Sequence, residues 1–277
     1  MARVHSSTYG ESRLRMLRVL QRGDRHDPKD LTVGLRFEGP VGDAMVPSEA
    51  IKNLVHRVVR EQEHAASAIE LLAIAICTQI LARHPGIGLA RVEISEQPWA
   101  RLDAGGKAQG QAFTPAGVER RTTSVTSNGT RVSVSAGVEN LVLLRTGGFV
   151  PTARGKPADE PTADGLQRVF VATLSARWAY TSGDIAFAPY RAGVRQAIVD
   201  TFAWHKGPTI RATLAAIAEV VFASYQEIAQ LTLSLQEHPY RPVDLLDLSM
   251  AGDALFVVRD EPVGLIEITV DRDSQSQ

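Results

Sequence analysis

Two stretches of this chain run through one order of elements, strand–strand–helix–helix–strand–strand, and a doubled order of that length leaves few folds open. In the first stretch, Leu14, Met16 and Val19 open a strand over 12–20, and the polar segment 21–30, with Gly23 and Pro28, reads as a turn. Leu31, Val33, Leu35 and Phe37 then alternate with Thr32, Gly34, Arg36 and Glu38, the period-two signature of a half-buried strand. The two strands read as a long hairpin. Ser48 is placed to cap a helix whose apolar periodicity opens at Ile51. A second helix is expected over 65–83, ended by Pro85 and Gly86. Strand patterns follow at 88–94, 111–113, 119–127, 130–135 and 142–145, with Asn128-Gly129 as a hairpin turn.

The segment 150–166, with Pro151, Gly155, Pro157, Pro161 and Gly165, reads as a linker. Beyond it come a strand over 169–180, helices over 189–204 and 209–231, and strands over 228–235, 243–248, 254–258 and 264–270, overlapping at the end of the second helix. The expected repeats are therefore 9–149 and 150–272. Runs of strands with paired helices, instead of strict alternation, predict an α+β fold with antiparallel sheets. A sheet covered by helices on one face leaves edges that must be paired or covered, and closing a barrel across several subunits is one solution.

Composition excludes several classes. With 44% hydrophobic and 22% charged residues, the chain is of globular type. A net charge of -1 gives no footprint for nucleic acid. One cysteine, Cys77, cannot form an internal disulfide; it reads as a small buried apolar residue in a reducing compartment. No secretory leader and no apolar stretch of about 20 residues occurs, so a cytoplasmic protein away from membranes is expected. The seven histidines show no metal-ligand spacing, and neither a phosphate-binding loop nor a Gly-x-Ser-x-Gly elbow is present. His205 in Trp204-His205-Lys206-Gly207 reads mainly as a structural or surface residue.

Seven short stretches, in order, carry a resemblance. These are Tyr9-Gly10-Glu11, Val46-Pro47-Ser48-Glu49-Ala50-Ile51-Lys52-Asn53, Val92-Glu93-Ile94 through Trp99-Ala100-Arg101, Gln111-Ala112-Phe113, the segment 137–146, Arg168 with Ala176-Arg177-Trp178-Ala179-Tyr180, and Gly264-Leu265-Ile266. Together they resemble the urate oxidase family over residues 9–272. The resemblance implies a tunnelling fold (T-fold) of two tandem ββααββ repeats, closed into a barrel by assembly as a homotetramer with sites at subunit interfaces. It also implies oxidation by dioxygen without metal or organic cofactor, acting on a planar anionic heterocycle. The C-terminus lacks the Ser-Lys-Leu signal of eukaryotic members, in keeping with a cytoplasmic protein.

The resemblance places Arg168 as the clamp arginine, whose planar fork suits an imide or carboxylate, and Phe149 as the stacking aromatic. Ser48 and Glu49 stand for a threonine and an aspartate, keeping hydroxyl and carboxylate. Ile210 and Arg211 fall at the second clamp, where the family has a glutamine. Glu11 stands where the family has a lysine, which reverses the local charge and makes it a candidate general base. Gly252-Asp253-Ala254 replaces the family's Asn-x-His stretch. On these departures the expected substrate is a purine-like or aromatic acid other than urate. Two alternatives stand beside it: a non-catalytic ligand-binding or paralogue-partner subunit, and a genuine urate oxidase with an unusual residue set.

Overall fold

The computed structural model describes residues 7–39, 45–62, 68–146, 169–206, 209–243, 255–258 and 264–272. It divides into two compact units, Met1–Glu139 with Ala179–Arg191, and Asn140–Trp178 with Ala192–Gln277.

In the first unit, β1 (Thr8–Arg22) and β2 (Arg25–Glu38) form a long antiparallel hairpin. The polar segment 21–30 is not the turn it was expected to be. The turn is confined to Gly23 and Asp24, Gly23 at φ 61, and the strands continue on either side. Polar residues suit this tip because the buried run of β2 begins only at Leu31. Next come α1 (Ser48–Glu61), α2 (Ile69–Arg83), β3 (Leu89–Gln97), the side hairpin β4 (Trp99–Ala104) and β5 (Lys107–Pro115), β6 (Arg120–Ser127) and β7 (Val132–Thr146). The sheet order is β1-β2-β3-β6-β7, antiparallel throughout, with β1 at the edge.

The residues explain the layering. Ile51, Leu54, Val55, Val58 and Val59 recur at helical spacing and are buried, while His56, Arg57, Arg60 and Glu61 face water. α2 is apolar on more than one side because it packs on α1 as well as on β3 and β6. Leu31, Val33, Leu35 and Phe37 of β2 and Ala90, Val92 and Ile94 of β3 bury the helix-facing side of the sheet. Thr32, Arg91 and Ser95 alternate onto the other, helix-free side.

β7 is one strand where the sequence suggested two, 130–135 and 142–145. Gly137 interrupts the pattern without interrupting the pairing, and the strand runs on through Asn140, at φ 58. The 128–129 turn does join two strands, but as the loop 128–131: the Asn128 Oδ1 accepts from the backbone N–H of Thr130 and of Arg131.

The second unit takes the end of β7, then most of β8 (Val169–Tyr180) and of α3 (Phe187–Trp204), α4 (Ile210–Ser224), β9 (Ile228–His238), β10 (Tyr240–Pro242), β11 (Phe256–Val258) and β12 (Leu265–Asp271). Its order is β7-β8-β9-β12, with β12 at the edge. Trp178, Leu174, Ile198, Ile210, Leu214 and Ile217 are fully buried at its centre. α4 stops at Ser224, short of the expected 231, because the apolar residues from Ile228 onward switch to strand alternation after Tyr225. Most of the strand expected over 243–248 lies outside the described residues. Among the described residues no helix is long and apolar enough to cross a membrane.

Candidate active site

Pro47 occupies the N-cap of α1 with φ -59, and its carbonyl accepts from the N–H of Ala50 at 3.0 Å and of Ile51 at 3.2 Å. Ser48 is therefore the first helical residue and not the cap. Its exposed hydroxyl forms no hydrogen bond among the described residues, and it sits at the electropositive helix start. Glu49 lies in the same turn, favourably placed against the dipole.

Lys52, one turn on, is the residue that gives this end its character. Its ammonium donates to the Glu49 carboxylate at 3.0 Å. That hydrogen bond, and then the charge of Glu49, raise its pKa above the ordinary 10.5, and the charge of Glu11 adds to the rise. Glu11 is half-buried on β1 opposite Leu35, and its effect on Lys52 is the smallest of these. Lys52 was visible in the sequence only as part of Ile51-Lys52-Asn53; the signal missed was its i,i+3 spacing from Glu49. The site so built has one protonated donor, one free hydroxyl and two carboxylates, a set able to hold an anion and move a proton.

The far side of Glu11 is fixed by its neighbours. Tyr9 packs edge-on against Phe37 with ring centroids 5.6 Å apart. Between Glu11 and Leu14 the pairing slips by a bulge, with Arg13 at φ 60. At the other end of α1, Arg18 donates to the carbonyls of Val59 and Gln62 and satisfies the helix terminus.

In the second unit, Thr209 caps α4, its side chain accepting from the N–H of Ala212 at 3.1 Å. Ile210 follows and is fully buried, so what it can offer a ligand is its main-chain N–H, one of the unpaired donors of the first turn. Arg211 is exposed beside it. His205 Nδ1 lies 3.1 Å from Thr213 Oγ1, and Arg145 donates to the His205 carbonyl at 2.9 Å, tying the end of α3 to its own unit. Phe149, Arg168 and the Gly252-Asp253-Ala254 stretch lie outside the described residues. The structure thus pairs Glu49 with Lys52 in the turn that follows Ser48, with Glu11 adding a smaller charge effect on Lys52, and sets Ile210 and Arg211 side by side in the other unit.

The fold is that of the tunnelling class. The chain matches a uricase of Arthrobacter globiformis with a TM-score of 0.84 at 22% identity, covering 100% of this chain and 97% of that one. A urate oxidase of Bacillus sp. TB-90 aligns with a TM-score of 0.78 at 14% identity, covering 96% and 100%. In sequence, a uricase of Dictyostelium discoideum is 26% identical over 290 residues, spanning 98% of both chains, and one of Danio rerio is 24% identical over 281 residues, spanning 95% of this chain and 93% of the relative. The uricase family's sequence model matches residues 8–126 and 134–267, and the chain belongs to that family.

Proposed function

We propose that the protein is a cofactor-independent oxidoreductase that oxidises urate with dioxygen. The family match shifts the weight from an altered substrate to urate itself. The observation that carries the reading is the grouping of Glu11, Lys52 and Glu49 beside Ser48 at the start of α1. Although position 11 is a glutamate, an ammonium stands in the same cluster. Lys52 and the helix start favour the anionic heterocycle. Glu11 takes the proton that leaves the ring, and the Ser48 hydroxyl orients water or dioxygen. The ring gives up two electrons, which dioxygen accepts with two protons to leave as hydrogen peroxide. Arg168 and Arg211, with Phe149 stacked on the ring and the Ile210 N–H, complete the clamp. Two edge strands, β1 in the first unit and β12 in the second, support assembly of identical chains into a tetrameric barrel of two ββααββ repeats per chain.

The test is aerobic incubation with urate, following loss of ultraviolet absorbance, oxygen uptake and peroxide. The wild type is expected to turn over, and Glu11→Gln to lose on the order of 10²–10⁴-fold in kcat, the usual range for a general base. A Glu11→Gln enzyme as active as wild type removes Glu11 from the mechanism. A wild type inert toward urate, yet thermally stabilised by a planar dicarboxylate, favours the second reading, an altered and more acidic heterocycle, which rests on Arg211 standing where a neutral clamp residue is expected.

A further inference from the structure

On the helix-free side of the first unit's sheet lies a cleft of about 420 Å³ with three arginines in its wall, Arg13, Arg15 and Arg120, against one carboxylate, Asp30. Arg13 and Arg15 enter no ion pair among the described residues. Among the described residues Arg120 donates only to the carbonyls of Val118 and Glu119, each at a long 3.4 Å. Ser95 adds a hydroxyl, and Trp99 lines the same cleft with an indole N–H that is buried and unpartnered. Arg13 and Arg15 are exposed and Arg120 half-buried, so three like charges share the wall of one cleft, and a buried donor without an acceptor is expensive.

The backbone is shaped to keep them there. Glu11 pairs with Leu35 and Leu14 with Val33, both on the helix side, so Ser12 and Arg13 together oppose Gly34. Without that extra residue, Glu11, Arg13 and Arg15 would follow one another on a single face. The bulge puts Glu11 toward the helices and both arginines on the opposite side, and holds Arg13 in the left-handed region at φ 60, a strained conformation for a branched-free but bulky side chain.

We propose that this cleft is a binding site for a small multivalent oxyanion, a phosphate or a di- or tricarboxylate, held by Arg13, Arg15 and Arg120. The proposal is independent of the urate reading, since it concerns the other face of the sheet. The experiment is a titration of the full-length protein with inorganic phosphate and, separately, citrate, at constant ionic strength set by chloride, reading the melting temperature. A saturable rise is expected, and the anion that saturates at the lower concentration identifies the chemical class. Arg120→Gln and Arg13→Gly should each weaken binding about tenfold, the loss of one charge-assisted contact. Arg13→Gly keeps the left-handed backbone, so it is expected to fold at least as well as wild type. Asp30→Asn should tighten binding, and Arg57→Gln, on the exposed face of α1, should leave it unchanged. A rise that does not saturate, or one equal in Arg13→Gly and Arg57→Gln, overturns the proposal.

Discussion

Gly10 sits on the edge strand one residue before Glu11, and its lack of a side chain is what lets β1 close on β2. A Cβ at this position would lie 2.0 Å from the Leu35 carbonyl oxygen, where 3.0 Å is the closest approach that real Cβ atoms show, so Gly10→Ala must open the two strands by about 1 Å. The obstacle is backbone, which cannot swing aside as a side-chain tip can. Opening the ladder by that much breaks one or two of its hydrogen bonds, each of about 1 kcal/mol, and adds overpacking strain of about 1–3 kcal/mol. Against this stands the 0.4–1 kcal/mol that an alanine typically gains by restricting the unfolded chain. The net loss is about 2–4 kcal/mol, or roughly 4–16 °C in Tm for a chain of this size. Gly34, in β2 of the same sheet, is the matched control: its nearest neighbour would be the Glu93 carbonyl oxygen at 4.0 Å, so Gly34→Ala should be neutral or slightly stabilising. Calorimetry of the two variants side by side reads the difference. If Gly10→Ala melts with Gly34→Ala, the close packing of β1 on β2 at this point is wrong, and with it the placement of Glu11.

Three more outcomes follow from other sites. Burial pushes the Cys77 thiol up to about 12, so a thiol reagent at pH 8 should leave the native protein unmodified and take up one equivalent after unfolding. Glu70 is fully buried, 3.5 Å from Arg191, and burial raises its pKa above the ordinary 4.5 despite that cation. The folded state then binds the proton more tightly than the unfolded chain, so the group's contribution is full below about pH 4.5 and is lost as pH climbs through the raised value. Glu70→Gln should accordingly gain in Tm relative to wild type between pH 4.5 and neutrality, and a constant difference across that range sinks the assignment. Arg101 donates to Asp27 at 2.6 Å, to the Gly110 carbonyl at 2.7 Å and to the His26 carbonyl, with its guanidinium 5.0 Å from the Phe113 ring centre. Arg101→Lys loses the planar fork and should destabilise by about 1–3 kcal/mol, with hydrogen exchange accelerating first in the β4–β5 hairpin.

Periodicity made the covered parts of the fold legible, because a strand or helix with one face in the core has to write that face into its sequence. Residues 31–38 alternate without exception and are buried on alternate positions. The helix of Ile51 to Val59 shows the same clarity. Legibility failed where no face is buried. The β1–β2 tip is polar on both sides, and nothing in Gln21 or Arg25 distinguishes a projecting ribbon from a loop. It failed again at Tyr225, where α4 yields to β9 without glycine or proline, and propensity alone carries no stop. At the start of α1, motif matching pointed to Ser48, Glu49 and Glu11 but not to Lys52, whose pairing with Glu49 is local and whose smaller interaction with Glu11 comes from a distant strand that no spacing in the sequence encodes.

The bulge in β1 connects the two faces of the first unit. Side chains in a strand alternate strictly, so a single extra residue exchanges the fates of everything on one side of it. Downstream of the bulge, register is fixed by Leu14 and Met16 opposite Val33 and Leu31, and upstream by Tyr9 against Phe37. Both anchors are satisfied only if one residue is left over between them, and Arg13 is the residue that takes the left-handed turn. The same insertion brings Glu11 within electrostatic reach of Lys52 and puts Arg15 beside Thr32 on the helix-free side. A regular strand of this sequence would place all three charges on one face. The bulge therefore acts as a sorting device, directing a carboxylate toward the helix start and the guanidiniums toward the cleft. The strain held at Arg13 is the physical trace of that sorting.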